Sequence, residues 1–172
     1  MIRILALALA MGIGSIGCQQ INKVPGPDGG GSGGGGLGYG QGEIDDAIWD
    51  PVNANPDYFA SETVYFDFDS ASVKGSEQSK VDTVAGFLTS NPGSAVSVEG
   101  HCDERGTEEY NLALGERRAQ AVREYLINSG VSPSVVRTLS FGEARPAVDA
   151  QSESAYSQNR RGEFVLYRPV AQ

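Results

Sequence analysis

The sequence is short of the residues that catalytic and metal centres draw on. It has 1 histidine, 1 tryptophan and 2 cysteines among 172 residues, and lysine occurs only at Lys23, Lys74 and Lys80. No second histidine or third cysteine is there to complete a zinc centre around His101. His101, Cys102 and Asp103 are consecutive, and neighbours on an extended strand point to opposite faces, so they do not converge on an ion or pair as thiolate and base. Cys102 is expected to be a small filler under a loop, and neither a metal nor a cofactor is expected. Net positive charge is also lacking. With 22 acidic and 13 basic residues, the formal charge of -9 excludes a nucleic-acid binder that works by neutralising phosphates. No apolar run reaches the roughly 20 residues that cross a bilayer.

What is present divides the chain. Residues 1–17 carry Arg3, an apolar run from Ile4 to Ile13, and Ser15-Ile16-Gly17 before Cys18, the outline of a secretory signal. A small residue ahead of a lone cysteine resembles a bacterial lipoprotein signal, in which Cys18 takes the lipid and becomes the new N-terminus. Ser15 stands where leucine is usual and Ile16 where alanine or serine is usual. Gln19 after the cysteine implies release to the outer membrane, with Cys102 left unpaired. Residues 18–60 include GGGSGGGGLGYGQG and are expected to be a tether, since such a composition cannot repay the entropy of ordering. About 41 flexible residues would reach roughly 35 Å. The stretch from Ile44 to Trp49, ahead of Pro51, is the one part of it that can dock on something, and Trp49 can simply pack on the domain.

Residues 61–170 hold the domain. Val64, Phe66 and Phe68 alternate with Thr63, Tyr65 and Asp67 over Glu62–Phe68, a half-buried strand. Ser76 is a candidate cap for a helix running to about Asn91, ended by Asn91-Pro92-Gly93. Ala95–His101 reads as a second strand. Thr107 caps a long helix with Glu108 and Glu109 in its first turn, and Leu112, Gly115, Ala119, Val122 and Leu126 form its apolar stripe up to Ser129-Gly130. A third strand follows over Arg137–Phe141, a short helix over Ser152–Arg160, and a last strand over Arg161–Tyr167. The fold class is α+β, a two-layer α/β sandwich with helices on one face of a sheet.

Within this frame Asp103 lies in a loop and Arg118 about three turns into the helix that follows. Two arrangements fit. The pair can bridge each other and hold loop to helix, or Asp103 can accept from a ligand ammonium while Arg118 forks onto a ligand carboxylate. A site of that kind suits an amino acid better than a sugar or phosphate. Glu104 and Arg105 are expected to brace the loop or to form a solvated face with Glu116 and Arg117, and Arg160 and Arg161 to be helix caps or ion-pair donors.

Four segments, VYFDFDS at 64–70, GHCDERGTEEYNLALGERRA at 100–119, SFGEARP at 140–146 and NRRGE at 159–163, occur in the order and spacing of the OmpA C-terminal-like domain family, which the chain resembles over about Thr63–Tyr167. The lipoprotein-like leader and tether are similar to its lipid-anchored members. The resemblance implies a βαβαβ-type sandwich that binds, without covalent bond, the diaminopimelate part of the peptidoglycan stem peptide. It assigns the ligand acid to Asp103 and the ligand base to Arg118, with Asp69, Ser70, Thr107, Tyr110, Asn111 and Leu112 lining the same groove. It further implies an outer-membrane lipid anchor at Cys18, a role in the Tol cell-envelope system and cell division, and a TolB-like propeller partner in the periplasm. Cys102 departs from the threonine common in the family, and Gly162 from a larger residue. The alternatives are a wall-binding protein without a Tol partner, and a peptidoglycan hydrolase, for which no nucleophile with an oriented base is evident. A porin barrel is excluded because the first 60 residues are too few and too polar for eight strands, and a flagellar stator would need a membrane helix.

Overall fold

The computed structural model describes residues 46–168; the expected signal, Cys18 and most of the expected tether lie outside them. Two short strands come first, β1 at Ala54–Asn55 and β2 at Val64–Tyr65, followed by helix α1 at Gly75–Ser90, β3 at Ala95–His101, α2 at Glu108–Asn128, β4 at Val136–Gly142, α3 at Glu153–Asn159 and β5 at Arg161–Tyr167. β3 is the central strand, parallel to β4 and antiparallel to β5. The far edge of β5 is shared, with β2 on Arg161 and Gly162 and β1 on Leu166 and Tyr167. The parallel β3–α2–β4 unit needs a crossover, and α2 supplies it. No helix among the described residues is long and apolar enough to cross a membrane.

Val96 and Val98 of β3, Phe164 and Leu166 of β5 and Val136 of β4 face the helices, where Val81, Val84 and Leu88 of α1 and Ala119, Val122 and Leu126 of α2 close one apolar core. Alternation on the strands turns Glu99, His101, Arg161, Glu163, Arg137 and Phe141 to the opposite face. Residues 95–101, 152–160 and 161–167 adopt the expected elements, as does the Thr107 cap.

Three differences have physical causes. The first strand is a ladder of two residues, because after Phe66, whose N–H donates to the Arg160 carbonyl, the chain leaves β5 and turns at Asp69, which has a φ of 52°. Phe68 therefore leaves the core and is exposed. Helix α1 begins at Gly75 rather than behind Ser76, and its Glu77 carboxylate is taken by the Tyr65 N–H at 3.1 Å and the Lys80 ammonium at 2.8 Å. Finally, the folded part extends back past the expected boundary at residue 61. Asp46–Asn53 forms short 3-10 turns with Ile48 buried, Phe59 enters the core, and Trp49 sits 5.2 Å from the Tyr167 ring with the Arg137 guanidinium 4.0 Å above its own ring. The Gly-rich composition ends before these residues, and their aromatic and aliphatic side chains repay ordering.

Strand β3 and helix α2 approach each other closely at a pair of glycines. A methyl at Gly100 on β3 would stand 1.9 Å from the Gly115 carbonyl oxygen of α2, and one at Gly115 would stand 2.3 Å from Ser140 Oγ and 2.9 Å from the Gly100 carbonyl oxygen. Only a strand and a helix lacking Cβ at those positions can lie this close. That contact brings the next turn of α2, with Arg118, onto the end of β3.

Candidate functional site

The Thr107 hydroxyl accepts from the Tyr110 N–H at 3.2 Å and fixes the first turn of α2. From there Asn111, Leu114 and Arg118 recur at spacings of three and four and face the C-terminal end of β3. Asn111 ties the loop down, its Nδ2 donating to the carbonyls of Asp103 at 3.1 Å and Arg105 at 3.3 Å and to the Glu143 carboxylate. The result is a cleft of about 280 Å³ lined by Phe68, Asp69, Cys102, Asp103, Arg105 and Gly106, with Tyr110, Asn111, Leu114, Arg118 and Arg160 completing its wall.

Asp103 and Arg118 share this cleft without bridging each other. The Asp103 carboxylate, 4% exposed, accepts through Oδ1 from Arg105 N at 3.1 Å and Nε at 3.0 Å, and through Oδ2 from Arg105 Nη2 at 2.7 Å and Arg160 Nη1 at 3.1 Å. Burial works to raise its pKa, but the hydrogen bonds from Arg105 and then Arg160 outweigh that and hold the carboxyl below its ordinary value. Arg118, 1% exposed, is spent largely on main chain. Its Nε donates to the Ser70 carbonyl at 2.8 Å, Nη1 to the His101 carbonyl at 2.8 Å and Cys102 Sγ at 3.2 Å, and Nη2 to the Asp67 carbonyl at 3.2 Å. Four contacts occupy most of its five donors, so a full fork onto a ligand carboxylate is not available in this state. Its burial lowers its pKa without threatening its charge.

Of the other expected residues, Asp69, Tyr110 and Asn111 line the cleft, and the Tyr110 hydroxyl donates to the Asp69 carboxylate across its mouth, which raises the phenol's pKa. Ser70, Thr107 and Leu112 do not line it. Ser70 offers its carbonyl to Arg118, Thr107 serves as the helix cap, and Leu112 is half exposed, one residue and so about 100° around the helix from Asn111. Leu114 takes the place expected for Leu112, in the helix stripe as well as in the cleft. Cys102 is a buried filler, its thiol donating to the Asn111 carbonyl at 3.3 Å, and burial pushes its pKa up.

Two arginines read as bracing or capping residues belong to the site. Arg105 is 36% exposed, lies 4.4 Å from the Phe68 ring and 4.4 Å from the Tyr156 ring, and reaches Glu153 at 3.2 Å. Arg160 caps α3 and connects Asp103, Glu153 at 3.0 Å and the Phe66 carbonyl at 3.2 Å. The signal for Arg160 was its place next to Arg161 at a strand start, where alternation sends one inward and the other, paired to Glu163 at 2.6 Å, to the opposite face.

Residues 65–160 match the OmpA family. A peptidoglycan-associated lipoprotein of Pseudomonas aeruginosa is 40% identical over 162 residues, 92% of this chain and 93% of that protein. One from Pasteurella multocida is 52% identical over 99 residues, 58% of this chain, and the match spans 66% of that relative's own length. The crystal structure of the peptidoglycan-associated lipoprotein from Burkholderia pseudomallei is 42% identical with a TM-score of 0.59, covering 60% of this chain and 88% of that one. Sequence, topology and solved relatives agree, and the chain belongs to the OmpA family, on the branch of the peptidoglycan-associated lipoproteins.

Proposed function

We propose that the domain holds peptidoglycan non-covalently, through the zwitterionic end of a diaminopimelate residue in the stem peptide, and that the chain thereby joins the outer membrane to the wall. The observation that carries this is a single cleft in which the Asp103 carboxylate stands with the guanidiniums of Arg105, Arg118 and Arg160. The names of the relatives point the same way. All four acceptor positions of Asp103 are filled by protein donors, so an incoming ammonium has to displace one of them. Arg105 is the partner able to yield, being partly exposed, and once released it is positioned over the ligand's carboxylate. Arg160, buried and tied to Phe66 and Glu153, keeps Asp103 ionised meanwhile.

The role is binding rather than turnover. Cys102 is a protonated thiol under the loop, and the imidazole of His101 lies on the other face of the sheet. Anchorage to the outer membrane by lipid at Cys18, a place in the Tol system and cell division, and competition between the wall and a TolB-like propeller for this end of the domain complete the reading. Tether and cleft would each raise the other's effective concentration.

The test is calorimetric titration of the protein with a stem peptide carrying diaminopimelate and with the same peptide carrying lysine, which lacks the second carboxylate. Binding of the first, its loss with the second, and about a tenfold or greater weakening in Asp103→Asn, titrated well below that variant's own melting transition, are expected. Equal affinity for the two peptides would sink the proposal.

A further inference from the structure

The sheet face turned away from α1 and α2 carries a second cluster, independent of the cleft. Glu99 of β3 and Glu163 of β5 are directly paired across the ladder, and His101 follows Glu99 by two positions on the same face. One ligand atom from each of the three lies within 4.8 Å of the others, and His101 Nε2 is 3.6 Å from Glu163 Oε2. The imidazole is 1% exposed, and neither ring nitrogen makes a hydrogen bond among the described residues. A buried polar ring left unpaired is costly, and here it is aimed at two carboxylates.

We propose that Glu99, His101 and Glu163 form a binding site for a divalent first-row transition ion, with zinc the best-fitting occupant. One imidazole nitrogen and two carboxylate oxygens are a donor set such ions accept, and the half-exposed glutamates leave a position open to water. Their side chains can close the remaining separation by rotamer changes, while the ring is already set, stacked on Phe141 at 5.4 Å and 21°. Burial, followed by the charge of Arg161, lowers the imidazole pKa to about 4, so its lone pair is available throughout the neutral range.

Two cations face the cluster and oppose a dication. Arg161 Nε is 2.6 Å from Glu163 Oε1, and Arg145, 3.7 Å from the Phe141 ring, acts on Glu99. They neutralise the glutamates when no ion is there, which makes the site exchangeable rather than permanently filled. Glu163 Oε2 makes no bond to Arg161 and faces the ring. The His101 carbonyl is also the acceptor for Arg118 Nη1, so an ion on the side chain steadies the strand end from which the cleft is built.

Titration of the full chain with zinc chloride, followed by calorimetry and by the imidazole proton resonances of its only histidine, tests this. One saturating equivalent with a shift of those resonances is expected, with affinity about tenfold or more weaker in both Glu99→Gln and Glu163→Gln, two variants at half-exposed positions whose melting curves report folding separately. Unmoved imidazole resonances in excess zinc, or equal affinity in the two variants and the parent, would overturn it.

Discussion

Arg118 shows how far a residue proposed to bind can also be a structural one. Its guanidinium satisfies the carbonyls of Asp67, Ser70 and His101, three points on two chain segments. Arg118→Ala takes the donor from the buried His101 carbonyl and from the part-buried Ser70 carbonyl and empties a buried site, and is expected to cost about 3 kcal/mol or more in urea denaturation. Arg118→Lys, which keeps the charge but reaches one acceptor at a time, should fall between the two. A lost pull-down in Arg118→Ala is therefore not by itself a reading of ligand contact, and Asp103→Asn, which takes the carboxylate from the buried Arg160 guanidinium, is read beside its own melting curve. His101 offers a second measurement. Folding keeps its imidazole neutral down to about pH 4 instead of the ordinary 6.5, because burial and then Arg161 disfavour the charged ring. In that window the unfolded chain binds more protons, so stability falls as pH drops from about 6.5 to about 4, by roughly 3 kcal/mol from this group. Glu99, whose pKa burial raises, works in the opposite direction. Proton NMR of the lone histidine should show titration near pH 4, and titration near 6.5 would contradict the burial described.

At the scale of elements, the glycines at the α2–β3 crossing decide the geometry. Gly100→Ala must push α2 away from β3, since its methyl would fall 1.9 Å from a backbone oxygen, and an overpacking loss of about 3 kcal/mol or more is expected. Gly162→Ala is the contrasting case. Its methyl would meet Phe66 at 3.4 Å and Val122 at 3.8 Å, ordinary contacts at a position without positive φ, so a gain of about 0.5 kcal/mol is expected from reduced freedom of the unfolded chain. Thermal melts of the two variants check both signs. The elements themselves were legible where one signal dominated: the alternation of Ala95–His101, the Thr107 cap with its acidic first turn, and the Ser152 cap. Phe68 misled because alternation continues past the point where β5 stops offering partners, and Leu112 because it is apolar yet one position off the helix face. Asp103 and Arg118 could be named from the sequence, but the partners of Asp103 could not, since Arg105 reaches it only through a loop turn and Arg160 from 57 residues further along the chain.

For the whole molecule, the boundary of the folded unit is the consequential finding. Phe59 is part of the core, its ring 5.4 Å from Phe87 and 6.3 Å from Phe164, Ile48 is buried, and Trp49 covers Tyr167 at the far end of β5. A chain beginning at residue 45 should melt with the full-length protein, while one beginning at residue 61 should lose about 3 to 5 kcal/mol from the deletion of Phe59 alone. Equal melting temperatures would show that the N-terminal turns add nothing.

The same boundary bears on how the molecule responds to mechanical load. β1 holds β5 through two residue pairs, with Arg168 N–H donating to the Asn53 carbonyl at 3.1 Å beside them. Tension applied from the N-terminal side meets this small clasp before it reaches β2 or the sheet's centre. Its release would pay out the residues ahead of the buried Phe59, about 13 of them and some 40 Å of extended chain, so that, on the proposed anchoring role, a sudden stretch of the envelope would be absorbed by slack before the core is strained.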